Sequence, residues 1–490
     1  MTVPAGPVDG SAVVTALREV LADAVVTEPE RLEAARADKS GHRSPSRPLA
    51  IVEARSIEDV QATMRVATAT RTPVVTRGAG TGLAGAAMAS AGEIVLSTLA
   101  MDRVLEIDED DLLAVVEPGI LNGAFNDLLA ERGLWFAPDP ASRAISTIGG
   151  NIATGAGGLL CAKYGVTRDA VLGLTVVLAD GRVVRTGHRS VKGVTGLDLT
   201  ALMVGSEGLL GVVVEAIVRI RRRVEGTIAT IACFFPDAAS AARASSAITA
   251  AGVQPAVMEL MDAASLRAVD ALLGTTMGAS GAAHLVVQTD GPAAGDEAAA
   301  ALAIVRSLGG TAELTTDIAE GERLLAVRRA MHPAMERLGT TLIEDVSVPR
   351  SALPAMFAAI ADVEERFGVT IPTVAHAGDG NLHPNFVFAG DSVPPHIWEA
   401  ADALFTAALA LGGTLTGEHG IGVLKRRWLA DELGDVQVDL QRGIKAVFDP
   451  LGILNPGKVF DPLDLGRPRV DPRYQAASRA DAAPDGVTAT

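Results

Sequence analysis

RGAGTGLAG, residues 77–85, follows the strand-like run PVVT (73–76) and carries a literal G-x-G-x-x-G in Gly80, Gly82 and Gly85. That pattern marks a dinucleotide-binding Rossmann turn when it opens a long helix. Here only Ala86 to Gly92 separates the last glycine from the next strand-like run, Glu93 to Ser97, and Gly92 breaks even that. The Rossmann reading fails on context. A Gly-Lys-Ser/Thr is missing as well, which excludes a Walker loop. What remains is a merely tight turn, or a loop of successive backbone N–H groups able to cradle a pyrophosphate without a helix.

Outward from this loop, Ser11 to Val26 reads as an amphipathic helix, and Arg36 to Pro48 as an irregular lead into a strand at Leu49 to Glu53. Ser56-Ile57-Glu58-Asp59 is a capping-box-like start for a helix to about Arg71. The order is therefore β-α-β-loop-β. Leu112 to Val116 and Leu174 to Leu178 read as strands and Leu121 to Arg132 as a helix. Asp180-Gly181 turns a hairpin into Val183-Val184, and a strand at Gly211 to Arg221 closes this half. From about Arg222, Ala-rich helices alternate with strands such as Thr227 to Phe235 and His284 to Thr289, an α+β pattern that marks a second domain. A short helical stretch is expected after Gly422, before FDPLGILNPGKVF (448–460).

Two more glycine runs share the first half. PDPASRAISTIGGNIATGAGG (138–158) is too rich in glycine and too poor in large side chains to form core, so its backbone is expected to lie against a ligand. VGSEGLLGVV (204–213) repeats the theme. Three such runs suggest one large flat ligand touched by loops from several strands.

The second half holds HAGDGNLHPN (376–385) and TGEHGIG (416–422). Ile371 to His376 reads as a strand, Gly378 to Asn381 as a tight turn and Leu382 to Phe388 as the returning strand. Alternation turns His383, Asn385 and Val387 to one face and Leu382, Pro384, Phe386 and Phe388 to the other. His376, His383 and Glu418 then form a two-imidazole, one-carboxylate set suited to a divalent metal, with His419 beside it as acid or base. The bland alternative is a pair of hydrogen-bonded histidines in a turn.

Composition bounds these readings. A chain of 490 residues should form more than one domain. Of its 48% hydrophobic residues many are Ala, and no apolar run reaches the roughly 20 residues of a membrane span. The N-terminus has no signal-peptide pattern, so a cytoplasmic location is expected. The net charge of −17 argues against nucleic acid as partner. Cys161 and Cys233 cannot make a disulfide framework and read as small buried hydrophobes.

In that order, RGAGTGLAG, PDPASRAISTIGGNIATGAGG, GSEGLLGVV, HAGDGNLHPN, GEHGIG and FDPLGILNPGK resemble motifs of the FAD-linked 2-hydroxyacid dehydrogenases and oxidases of the vanillyl-alcohol-oxidase/p-cresol-methylhydroxylase superfamily. The chain is most similar to the branch of the glycolate oxidase D-subunit, D-lactate dehydrogenase and D-2-hydroxyglutarate dehydrogenase. The resemblance implies an α+β protein: a helix and lead-in (1–45), a two-subdomain FAD-binding domain (46–222), an α+β substrate or cap domain with a metal site (223–422) and a segment returning to the FAD domain (423–460); the polar end of the chain, with Pro472 and Pro484, is expected to make 461–490 a disordered tail. The resemblance also implies non-covalent FAD, since Thr81 and its neighbours offer no histidine for a covalent link. Arg77, Gly78, Ala79, Gly80, Thr81 and Gly82 would hold the pyrophosphate. Pro138, Asp139, Ser142, Gly149, Gly150, Asn151, Thr154 and Gly155 would line the flavin, with Glu207, Val212 and Asn455 adding contacts.

By the same resemblance His376, His383 and Glu418 are the ligands of a divalent metal (Zn, with Mn, Fe or Co as alternatives), and His419 is the base. Arg328 binds the substrate carboxylate, with Asn385 and His332 as further substrate contacts. The implied reaction oxidises a D-2-hydroxy acid to the 2-oxo acid, with hydride passing to flavin N5. D-2-hydroxyglutarate enzymes of the branch carry a lysine where this chain has Ile343 and a threonine where it has His332, which shifts the expectation to glycolate, D-lactate or a longer monocarboxylic acid. A D-2-hydroxyglutarate dehydrogenase and a non-redox enzyme of the alkyl-dihydroxyacetone-phosphate synthase type are the alternatives. The electron acceptor (a quinone, a flavoprotein, a cytochrome, an iron–sulfur subunit or oxygen) and a homodimeric state are left open by the sequence.

Overall fold

The computed structural model describes residues 9–390 and 392–460, so the expectation for 461–490 lies outside the described residues. Four strands, β1 (Val25–Val26), β2 (Ala50–Glu53), β3 (Val74–Arg77) and β4 (Ile94–Ser97), form a sheet in the order β1-β2-β4-β3, with β2 and β3 both parallel to β4. The helix Ile57–Thr70 makes the β2-to-β3 crossover. Ser56 caps it by accepting from Asp59 N at 3.2 Å, and its Val60, Met64 and Ala67 are fully buried beside Ile94 and Leu96. Each large side chain so buried stabilises by about 1.5–3 kcal/mol. No helix joins β3 to β4; the glycine loop alone makes that connection. The N-terminal helix is shorter than expected, Gly10–Leu21. Ala22 turns to φ 47°, and Val25 and Val26 leave as β1, pairing with Val52 and Ile51.

Next in the chain come β5 (Val104–Asp108), β6 (Leu113–Val116), β7 (Leu134–Trp135), β8 (Val171–Val177), β9 (Val183–Gly187), β10 (Val212–Arg219) and β11 (Arg221–Arg222). An antiparallel sheet of order β5-β6-β10-β8-β9 forms from them, while β7 and β11 pair separately. Strict alternation in β10 buries Val212, Val214, Ala216 and Val218. Val212 and Val214 join the core that also holds Val52, Ile94 and Leu96, which packs this sheet on the first. The 146–158 passage is not all loop: Thr147 caps a helix, Ile148–Thr154, by accepting from Gly150 N at 3.1 Å, and Gly155 ends it at φ 73°.

The remaining strands, β12 (Thr227–Phe235), β13 (Val257–Met261), β14 (Ala283–Gly291), β15 (Thr311–Thr315), β16 (Thr340–Ile343), β17 (Val346–Ser347), β18 (Thr373–His376) and β19 (Asn381–Phe388), build one antiparallel sheet in the order β15-β12-β14-β13-β18-β19-β16, with β17 also on β19. Helices Ala238–Ala250, Leu353–Phe367 and Pro395–Ala410 bury one face of it, taking up Leu260, Ala375, Leu382 and Phe386. Glu259, His376 and His383 lie on the opposite face. The closing helix is longer than the short stretch expected, Leu429–Phe448, broken at Gly434 (φ 71°). Beyond it the chain returns to the first sheet, where Val74 N donates to Ile453 O at 2.7 Å and Asn455 N to Val74 O at 2.8 Å.

Candidate active site

The β18–β19 hairpin forms as the Asp-Gly and Gly-Asn pairs imply, with His376 paired to Asn381 and Val374 to His383. His376 and His383 thus project from adjacent strands, their ring centroids 5.1 Å apart. Glu418 and His419 come from the loop after Pro395–Ala410. Asp345 fixes that loop: its Oδ2 accepts from Thr416 Oγ1 at 2.6 Å, Glu418 N at 3.0 Å and His419 N at 2.9 Å, and its Oδ1 from Asn381 Nδ2 at 2.6 Å. Glu207 fixes the other end of the loop, accepting from Ile421 N at 2.7 Å and Gly422 N at 2.8 Å. Gly422 has φ +51°, and a Cβ there would stand 1.9 Å from Ala84 O, so only glycine lets this loop dock on the first glycine run.

Three donors converge. Glu418 Oε1 is 3.4 Å from His376 Nε2 and 3.2 Å from His383 Nε2, while His419 Nε2 lies 3.9 Å from the same oxygen. Behind His376, Nδ1 meets Glu259 Oε1 at 2.7 Å, the carboxylate–imidazole arrangement that orients a metal ligand. Burial disfavours charge on His376, but Glu259 and Glu418 outweigh it and hold its protonated form well above the usual histidine range. Burial also opposes ionisation of Glu418, yet His376 and His383 keep it well below the carboxylate range. A compact cation among the three would take the place of that imidazole proton. Asp345, His383 and His419 also cluster closely enough to hold an ion, but the Asp345 carboxylate is already engaged by four N–H and O–H donors, so the His376, His383 and Glu418 set fits a divalent cation better. Burial pushes His419 down to about 4, which leaves a neutral imidazole whose Nδ1 has no hydrogen-bond partner among the described residues.

One cavity of about 730 Å³ brings this cluster to the glycine runs. Its wall holds Gly78, Ala79, Gly80, Thr81, Gly82, Asp139, Ser142, Gly149, Gly150, Asn151, Thr154 and Glu207 on one side, and Arg328, His332, His376, His383, Asn385, Glu418 and His419 on the other. Among the described residues, no backbone hydrogen bond engages the N–H groups of Gly78 to Gly82, as a nest for phosphate oxygens requires.

Several expected residues serve elsewhere. Arg77 turns behind the loop, donating to Ala87 O at 2.7 Å and Ala37 O at 2.9 Å. Pro138 is buried off the cavity and accepts from Asn122 Nδ2 at 3.0 Å. Gly155 terminates its helix instead of lining the wall. Val212 points into the core between the sheets, because alternation gives the cavity to Gly211 and Val213. Asn455 Nδ2 staples Ala86 O at 3.0 Å to Glu207 O at 2.6 Å, tying two wall residues together from behind. The Glu207 carboxylate is spent on the 421–422 backbone, and burial pushes it up to about 7.

On the substrate side, Asn385 gives its Nδ2 to Pro372 O at 3.0 Å and His383 O at 2.8 Å, leaving Oδ1 as the end available to a ligand. His332 stands at the rim, its side chain 58% exposed and 3.4 Å from Glu336. Arg328 is no surface arginine: its Nε lies 2.7 Å from Glu259 Oε2, and its side chain is 12% exposed. Glu259, Asp345 and the clamping role of Glu207 escaped the sequence reading. The signal for Glu259 was there, a lone carboxylate in the apolar run AVMELM (256–261).

Residues 48–187 match the family model described as FAD binding domain, and residues 226–459 the model described as FAD linked oxidases, C-terminal domain. The glycolate oxidase subunit GlcD of Bacillus subtilis is 39% identical over 85% of this chain and 89% of its own length. The chain belongs to the FAD-linked oxidases. It is an FAD-binding oxidoreductase. GlcD of Escherichia coli K12 is 34% identical over 92% of the chain and 91% of its own, and a D-lactate dehydrogenase of Archaeoglobus fulgidus 34% identical over 84% and 90%. Among solved structures, p-cresol methylhydroxylase superposes with a TM-score of 0.76 at 19% identity, covering 92% of this chain and 97% of that one. An alkyldihydroxyacetonephosphate synthase superposes with 0.70 at 18% identity, covering 93% and 87%. At these identities the two structures speak for the fold alone. Among the described residues no helix is long and apolar enough to cross a membrane.

Proposed function

We propose that this oxidoreductase converts a D-2-hydroxy acid to the 2-oxo acid, with non-covalent FAD and a divalent cation. The observation that carries the reading is the placement of His376, His383, Glu418 and His419 on the wall of the cavity that also holds the Gly78–Gly82 nest. FAD bound there would accept the C2 hydride, and a cation held by His376, His383 and Glu418 would lower the pKa of the substrate hydroxyl. His419, kept neutral by burial, takes the hydroxyl proton. Arg328, ion-paired with the buried Glu259, binds the substrate carboxylate. Asn385 Oδ1 and His332 complete the substrate contacts. Asp345 and Glu207 position the 416–422 loop and do not react.

Anaerobic mixing of purified protein with D- and L-2-hydroxy acids tests this. Bleaching of the flavin by D-acids, lost after metal stripping and restored by add-back, is expected. Purified protein without flavin, or flavin that no 2-hydroxy acid bleaches, would sink the reading.

A further inference from the structure

The closing helix carries two apolar faces. The inner one is accounted for: Val438 is buried in a core with Leu209 and Leu210, Leu433 and Phe448 pack against that core, and Lys445 Nζ donates to Leu209 O and Leu454 O at 2.8 Å. Opposite, beyond the break at Gly434, Val436, Leu440 and Val447 stand 77%, 65% and 80% exposed, with Ile444 at the edge of the row and Leu451 exposed just past the helix end. Exposed hydrophobes scattered singly are ordinary on a protein surface, but a row of them along one helix is not. A helix apolar on two faces fits an interior position.

Gly443 adds a second observation. It sits inside this helix, where glycine is among the poorest helix formers. A Cβ there would meet no atom within 4 Å among the described residues, so nothing in its own chain asks for glycine. Val436, Leu440, Gly443 and Val447 are spaced four, three and four residues apart, the alternation of a helix–helix seam, and Gly443 is a notch in it. None of the four carries a charge.

A knob and a notch on one stripe fit a second copy of the same stripe. With two such helices antiparallel about a two-fold axis between Leu440 and Gly443, each Leu440 seats over Gly443 of the other copy and each Val436 meets Val447 of the other. The antiparallel helix dipoles add to the fit. Five apolar side chains from each copy, giving up about 100 Å² apiece, reach the roughly 1,000 Å² at which a specific interface begins.

We infer that the closing helix is the interface of a homodimer, two copies packing antiparallel along Val436, Leu440, Gly443 and Val447.

Sedimentation of the FAD-loaded protein at micromolar concentration tests this. A mass of about twice 50.2 kDa is expected. Leu440→Asp should raise the dimer dissociation constant by about thirtyfold or more, the usual effect of losing a central anchor. Gly443→Leu fills the notch and should weaken the dimer by at least about tenfold, even though leucine favours the helix. Adding Leu440→Ala to Gly443→Leu makes room again, so the double variant should dimerise more tightly than Gly443→Leu alone. A flavin-to-protein ratio equal to the parent's is expected in every variant, since the stripe lies off the cavity wall. A monomeric parent overturns the inference and leaves the stripe to residues 461–490 or to another protein. A dimer that survives both Leu440→Asp and Gly443→Leu overturns it by placing the interface elsewhere, and a double variant weaker than Gly443→Leu overturns the pairing of Leu440 with Gly443.

Discussion

Glu259 and His376 stand directly opposite each other on β13 and β18, and their side chains meet at 2.7 Å between Oε1 and Nδ1. The other Glu259 oxygen is 2.7 Å from Arg328 Nε, so one buried carboxylate hydrogen-bonds an expected metal ligand and ion-pairs with the expected carboxylate clamp. Glu259→Gln keeps the shape and removes the charge. Metal affinity should fall by about 10–100-fold, the usual effect of disturbing such an outer partner. Competition with a fluorescent chelator measures it, and an unchanged affinity would remove Glu259 from the metal's support. KM for the substrate should rise in the same variant, because Arg328 loses its partner.

His419 tests the chemistry separately from the cofactor. His419→Ala should retain a full complement of FAD, since the ring belongs to the far wall of the cavity. Flavin reduction by a D-2-hydroxy acid should slow by about 10²–10⁴, the contribution of a positioned general base. Stopped-flow absorbance gives the rate and the flavin-to-protein ratio gives the occupancy. Unchanged reduction would move the active site to another subunit or another base.

The parts of this site that could be read from the chain are those encoded by short local runs. Asp379-Gly380 announces a turn, and the two-residue period around it then places His383 and Asn385 on one face without any tertiary information. The same logic discards the Rossmann unit, since Gly92 leaves no room for a helix before β4. Illegible were the contacts between distant segments. Glu207 binds the backbone of Ile421 and Gly422, Asn455 ties Ala86 to Glu207, and Glu259 reaches Arg328 and His376. None of these pairs has a spacing that a motif could carry. Motif membership also overstates contact. Arg77, Pro138, Gly155, Val212 and Asn455 belong to glycine-rich or returning runs, yet they shape the loops from behind the cavity wall.

Flavin attachment is decided by the residues that touch it. Gly78, Ala79, Gly80, Thr81 and Gly82 present backbone and one hydroxyl to the cavity, and no histidine or cysteine stands in that run. Acid precipitation should therefore release the yellow colour to the supernatant. Colour remaining on the pellet after repeated washing would show a covalent bond formed from some other wall of the cavity.

His284 on β14 links the core to pH. It is 1% exposed, both ring nitrogens lack a hydrogen-bond partner among the described residues, and Phe234 lies 4.8 Å away, ring to ring. Burial pushes its pKa down to about 4 from the ordinary 6.5. The folded state therefore holds fewer protons on this ring than the unfolded chain between those values, so stability is complete above pH 6.5 and is lost as pH falls toward 4. The full difference corresponds to about 3 kcal/mol. His284→Met should fill the same space with a side chain that does not titrate. Urea unfolding at pH 7.5 and pH 5 should then show a smaller loss on acidification in the variant than in the parent chain, because the buried carboxylates that also titrate here are common to both. Equal losses in the two proteins would mean that the ring finds a proton acceptor in the folded core.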